Sequence, residues 1–241
     1  MSYQNFIKKI FFFSFILIIL PVNAQNIKKQ FYKDSLSYKE LANLNLVFGK
    51  NKSFDSIYQK QILIALSYFP ELKNISIEFK LKIANTPLSS RPTFFGFFQS
   101  AKKRKYIIFI SEQTNTKLEP ILFKNLSFNA QIGVLGHELS HISDYTNKGF
   151  SEISNILWIE IFSKKEVDKF ENRTDHICIN HGLGYQLFEW SSSVINNLKI
   201  EYWRGADNLK GIIKRGRYLN PETIINIINT SPIYNQDKLE K

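Results

Sequence analysis

Five consecutive residues, His137-Glu138-Leu139-Ser140-His141, have the types and spacing that metal-assisted hydrolysis needs. On an α-helix, residues four apart share one face, so His137 and His141 can turn two imidazoles toward a single ion. Glu138 is rotated about a quarter-turn from them, beside an open coordination position rather than in the ligand set. Zinc there acidifies and holds a water, and a carboxylate so placed takes its proton and later delivers one to a leaving amine. Three fixed positions in five also arise by accident on surface helices. Two features weigh against accident. All four histidines fall between His137 and His181. The residues before the motif, Ile132-Gly133-Val134-Leu135-Gly136, are apolar, so His137 and Glu138 would be buried at a cost unless they had partners. Gly133 and Gly136 each weaken a helix by about 1 kcal/mol, which a helix tolerates where something approaches closely.

A catalytic zinc takes three protein ligands and one water. The metzincin pattern would place a glycine and a histidine three and six residues after His141, where Asp144 and Asn147 stand instead. Asp144 sits on the same rigid helix as the histidines, two turns from His137, and closes poorly around one ion. His176 and His181 are further candidates from a later helix. Glu171 is the best of the set, because Asp175 follows it by four residues on the same face and can accept the free ring N–H of a liganding histidine.

This pairing of HExxH with a later ExxxD resembles the gluzincin zinc metallopeptidases. The stretch Phe170-Glu171-Asn172-Arg173-Thr174-Asp175 is similar to the corresponding segment of CAAX prenyl proteases and HtpX-like endopeptidases, and the resemblance covers roughly residues 129–187. It implies one zinc ion on His137, His141 and Glu171, Glu138 as general base and acid, Asp175 orienting a ligand histidine, and a peptide or protein substrate. His181, just before Gly182, is a candidate donor to the developing oxyanion, with Tyr185, Tyr202 and Arg204 as others. Two rival functions remain: a zinc amidohydrolase acting on cell-wall or other amides, and a non-catalytic module in which zinc staples two helices.

The elements that must position these residues follow from pattern. Lys8 and Lys9 precede an apolar run over residues 10–20, then Pro21 and Val22-Asn23-Ala24, so residues 1–24 read as a secretory signal peptide. The run is shorter than the roughly 20 residues of a spanning helix, so no stable membrane span is expected after cleavage. Residues 25–241 form one expected domain, periplasmic or secreted. Cys178 is the only cysteine and reads as a small buried hydrophobe.

Residues 75–83 alternate apolar and polar and predict a half-buried strand. Residues 93–99 and 106–111 are two further expected strands, separated by the basic turn Lys102-Lys103-Arg104-Lys105. Together they predict a small antiparallel sheet, an edge of which could take a peptide as an added strand. Net charge is +11, but the lysines are scattered, the basic turn reads as a solvated hairpin tip, and no nucleic-acid motif accompanies it. The run Phe94-Phe95-Gly96-Phe97-Phe98 reads as core more than as a peptide-binding surface.

Helices are expected from a Ser53 cap to about Phe69, from an Asn129 cap to about Tyr145, and over residues 152–162, 165–181, 185–198 and 221–228. Ile132, Leu135, Leu139 and Ile142 make the buried stripe of the second of these. The class is α+β, with a zincin-like active-site helix and a helical C-terminal half.

Overall fold

The computed structural model describes residues 27–34, 36–101, 103–210 and 215–235, with backbone alone at 157–162 and 210. The expected signal segment over residues 1–24 and Lys102 of the basic turn lie outside the described residues. Helix α1 (Tyr38–Phe48) begins at Ser37, whose hydroxyl accepts from the Glu40 N–H while the Glu40 carboxylate accepts from the Ser37 N–H, a reciprocal capping box. Ser53, expected as a helix cap, belongs instead to the short strand β1 (Lys52–Ser53). Asp55 takes the capping role, accepting from Ile57 N–H at the start of a 3-10 turn that runs into α2 (Gln59–Ser67). Ile62, Leu66 and Phe69 are buried; α2 stops at Ser67, short of the expected Phe69, and Pro70 opens a separate 3-10 turn, Pro70–Leu72.

Strand β2 (Ser76–Ile83) keeps the expected alternation at its start, with Ile77 and Phe79 buried and Glu78 and Lys80 exposed. Then follow β3 (Leu88–Pro92), the short helix α3 (Phe94–Phe97) and β4 (Lys105–Gln113). The sheet order is β1-β2-β4-β3, and only β3 and β4 pair antiparallel; β1 with β2 and β2 with β4 are parallel. The sheet is therefore mixed rather than antiparallel, because β3 pairs on the far side of β4 instead of lying between β2 and β4. Strand β4, central in the sheet, is buried at every position from Tyr106 to Ser111.

Residues 93–99 are not a strand. The Thr93 hydroxyl accepts from the Gly96 N–H and turns the chain into α3. Nor is the basic turn wholly solvated, for Arg104 is only 1% exposed.

The C-terminal half is helical: α4 (Phe128–Thr146), α5 (Phe150–Phe162), α6 (Lys164–Cys178), α7 (Gly184–Leu198) and α8 (Pro221–Thr230). Ser127, not Asn129, caps α4, by accepting from the Ala130 N–H. Asn129 is already helical and buried, and its amide bonds both the N–H and the C=O of Phe31, fastening the N-terminal segment to α4. The buried stripe widens to the whole circumference: every residue from Asn129 to Ser143 is buried, because α2, α6, α7 and β3 surround the helix.

Between α6 and α7 the chain makes a π-type turn, Ile179–Leu183, in which Gly182 has φ 89°, a left-handed value suited to glycine. The Tyr234 hydroxyl closes the kink, donating to the Ile179 carbonyl and accepting from the Gly184 N–H. Helix α7 then returns along α4 so closely that a Cβ on Gly133 would lie 2.1 Å from the Gln186 carbonyl oxygen.

Candidate metal centre

Helices α4 and α6 pack together and bring two one-turn pairs face to face, His137/His141 and Glu171/Asp175. Glu171 Oε2 lies 3.1 Å from His137 Nε2 and 3.2 Å from His141 Nε2, and the two Nε2 atoms are 3.1 Å apart. The outer ring nitrogens are both engaged. His137 Nδ1 lies 2.8 Å from Asp175 Oδ1, and Asp175 Oδ2 accepts from the Leu219 N–H at 2.8 Å. His141 Nδ1 lies 3.2 Å from Thr174 Oγ1, whose own hydrogen goes to the Phe170 carbonyl.

This arrangement sets the tautomers. Thr174 Oγ1 spends its proton on Phe170, so it accepts from His141 Nδ1–H; Asp175 Oδ1, 2.8 Å away, likewise accepts from His137 Nδ1–H. Both Nε2 lone pairs then point inward at Glu171 Oε2, a buried carboxylate oxygen that no donor satisfies. Three acceptors converging on one point repel one another unless a cation stands between them. Ligands about 2.0–2.1 Å from a tetrahedral zinc lie about 3.3–3.4 Å apart, close to the spacing found here. Buried His137, His141 and Glu171 thus lie close enough to hold a metal ion.

The electrostatics agree. A proton on Nε2 can stand where a cation would: burial works against a charged His137, but the Asp175 and Glu171 carboxylates on either side outweigh burial and lift its pKa well above the usual histidine value. Burial of Glu171 is outweighed in turn by the charges and hydrogen bonds of the two histidines, which hold its carboxyl far below the ordinary range. The pocket is built for positive charge.

Glu138 points to a cavity of about 200 Å³ lined among others by His137, Leu88, Trp190, Trp203 and Tyr218. The walls mix apolar and aromatic side chains with the charged Asp207 and Arg217. Tyr218 packs on the His137 ring at 5.4 Å and on Trp190 at 5.8 Å. Burial first, then the charges of Glu171 and Glu138, push its hydroxyl well above the usual tyrosine value, so it remains a proton donor at neutral pH.

The segment carrying Trp203 and Tyr218 is pinned over the site. Arg204 grips both oxygens of Asp168 on α6 at 2.6 and 2.9 Å, and Arg217 joins Asp168 to Asp207. Asp175 adds to this through Leu219, so one carboxylate both orients His137 and fixes the residue after Tyr218.

Of the residues expected from sequence, His137, Glu138, His141, Glu171 and Asp175 come together. His181 does not join them. Its ring nitrogens face Glu71 at 3.0 Å and the Ile177 carbonyl at 2.8 Å, and the ring stacks on Phe69. His176 is exposed, Asp144 pairs with Lys148 and Arg173, and Arg204 is committed to Asp168. Tyr218 was not expected; it reaches the site from a non-helical segment far along the chain, where only the fold reveals its neighbours. Set against protein families, curated proteins and solved structures, the chain matches none.

Proposed function

We propose that this chain is a zinc-dependent peptidase in which His137, His141 and Glu171 hold one ion and Glu138 acts as general base and acid. The observation that carries this reading is the unsatisfied Glu171 oxygen facing two imidazole lone pairs at 3.1 and 3.2 Å. Two imidazoles and a carboxylate suit zinc, and a three-ligand site that opens on a cavity is catalytic in character, since structural zinc is closed by four protein ligands. Among the described residues no fourth histidine, cysteine or carboxylate joins the cluster.

An ion bound there supplies Lewis acidity that lowers the pKa of a water and polarises a carbonyl. Glu138, next to His137 and facing the cavity, takes a proton from the attacking water and returns it to the departing amine. Asp175 and Thr174 hold the two imidazoles in the tautomer with free Nε2. The Tyr218 hydroxyl donates to the oxygen that becomes negative as the carbonyl is attacked. Trp190 and Trp203 keep bulk water from the reacting groups.

A substrate strand has one evident place. Residues 106–111 are central in the sheet and 93–99 are helical, so neither offers the free edge expected of them. Strand β3 has a strand partner on one side only among the described residues, and Thr86, Pro87 and Leu88 at its start line the cavity. A peptide laid along that edge passes Glu138. The signal-like segment over residues 1–24 supports action outside the cytoplasm.

The test is Glu138→Gln assayed on a peptide library alongside metal analysis. Turnover is expected to vanish while bound zinc is retained. Cleavage at the wild-type rate by this variant would remove Glu138 from the mechanism.

A further inference from the structure

Five phenylalanines form a cluster in which the metal site has no part. Phe94, Phe95 and Phe98 are 76, 79 and 65% exposed, and Phe150 is 50% exposed. Phe97, half-buried beneath them, meets Phe98 at 5.3 Å and Phe150 at 5.0 Å between ring centres, while Phe94 meets Phe95 and Phe98 at 5.4 and 5.9 Å. The sequence pattern assigns this run to the core, and the fold turns it outward instead. Contiguous aromatic surface rimmed by polar residues marks an interaction site in a soluble body.

The cluster is held firmly. Thr93 caps α3, and a Cβ on Gly96 would lie 2.6 Å from the Lys105 carbonyl oxygen, so the turn sits directly on β4. The buried Arg104 guanidinium donates to the carbonyls of Gln99, Tyr145 and Lys148, each at 3.1 Å, fastening the loop after α3 to the C-terminal end of α4. Five donors in one planar group suit that triple anchorage.

Charge selects the occupant. From Arg91 to Lys105 the chain carries no acid and, besides the buried Arg104, four cations. Lys103 and Lys105 are exposed, the Arg91 guanidinium lies over the Phe109 ring of β4 at 5.3 Å, and the nearest acid along α5, Glu152, accepts from the Gly149 N–H. Exposed rings followed closely along the chain by exposed lysines match the boundary of an anionic bilayer, where rings enter the headgroup layer and cations meet lipid phosphates. We propose that α3 and the start of α5 form a docking surface for an anionic lipid membrane. Strand β3 runs from the cavity toward this patch, and six residues at about 3.3 Å each put Phe94 roughly 20 Å or less from Leu88. A chain so docked holds its cavity close to the membrane surface.

Cys178 is the only cysteine and is fully buried, so an introduced thiol can be labelled selectively. The full chain carrying Phe95→Cys with an environment-sensitive fluorophore is mixed with vesicles of phosphatidylcholine alone or with an equal part of phosphatidylglycerol. A blue shift quenched by lipid-borne nitroxide is expected with phosphatidylglycerol and is weakened by salt. Adding Phe94→Ser and Phe98→Ser lowers the partition constant about 10-fold per ring. Vesicle binding with the label unshifted means that the apolar run over residues 10–20 does the binding, and overturns the proposal. An equal shift on phosphatidylcholine alone overturns the anionic requirement. A shift without vesicles that grows with protein concentration assigns the patch to a second copy of the chain and overturns it too.

Discussion

Replacing Gly133 with alanine tests whether the closeness of α4 and α7 sets the geometry of the metal centre. Helix propensity alone favours the change by about 1 kcal/mol. The added Cβ would lie 2.1 Å from the Gln186 carbonyl oxygen, 2.4 Å from its carbon and 2.9 Å from Leu187 N. These are backbone atoms of the facing helix and have no rotamer to yield. Relief of the shortest contact to 3.0 Å, the floor for real Cβ contacts, moves the helices apart by about 0.9 Å. Overpacking of this kind costs about 1–3 kcal/mol, and a rigid backbone neighbour puts it at the upper end. The net expectation is a loss of about 2 kcal/mol, or about 4–8 °C in thermal midpoint for a chain of this size. His137 lies one turn further along α4, so zinc affinity falls with it. Circular dichroism melts with and without added zinc read both effects. A midpoint that rises as propensity demands, with zinc affinity unchanged, would refute the packing reasoning.

Three further outcomes are expected. Arg104→Met takes a donor from three carbonyls, of which Tyr145 keeps the Lys148 N–H, and lowers stability by about 2–4 kcal/mol, read as a fall in urea midpoint; a change under about 0.5 kcal/mol contradicts the anchoring role. Asp175→Asn keeps the fold but weakens zinc binding about 10–100-fold in competition with a chelator, and unchanged affinity removes Asp175 from the support of His137. The His181–Glu71 pair adds a pH dependence. Burial disfavours the charged His181, but its hydrogen bond to Glu71 and the Ile177 carbonyl raise its pKa above the usual value. Its contribution is therefore full below about pH 6.5 and is lost as pH rises through the folded value. Burial of Glu71 is outweighed by bonds from His181 and Ser143, and its pKa falls, so its contribution is lost as pH drops through that lowered value. The stability difference between wild type and Glu71→Gln should peak between about pH 5 and 6.5 and stay below about 1 kcal/mol, since Glu71 is partly exposed. A difference that is flat from acid to alkaline pH contradicts the pairing.

What could be read from the sequence was what depends on local spacing. His137/His141 and Glu171/Asp175 are each one helical turn apart, so their shared faces follow from residue number alone, and the α+β class with a helical C-terminal half follows from period and capping. Gly133 and Gly136 were legible as points of close approach. Strand order was not: nothing local shows that β3 pairs beyond β4 and leaves β2 and β4 parallel. Phe94 to Phe98 has the composition of a buried strand, and the Thr93 cap with the tight fit of Gly96 on β4 turns it into an exposed helical turn. Arg104 looked like one more surface cation because the carbonyls it serves, on Tyr145 and Lys148, are some forty residues away. Tyr218 carries no signal of its own and meets His137 only through the ion pairs and the Asp175–Leu219 bond that fold its segment over α6.

The most direct measurement is the metal content of the purified chain. One zinc per chain is expected, with loss of most of it in His137→Ala and Glu171→Ala and retention in Glu138→Gln. Absence of bound metal after equilibration with zinc, or undiminished zinc in Glu171→Ala, would contradict a His-His-Glu site.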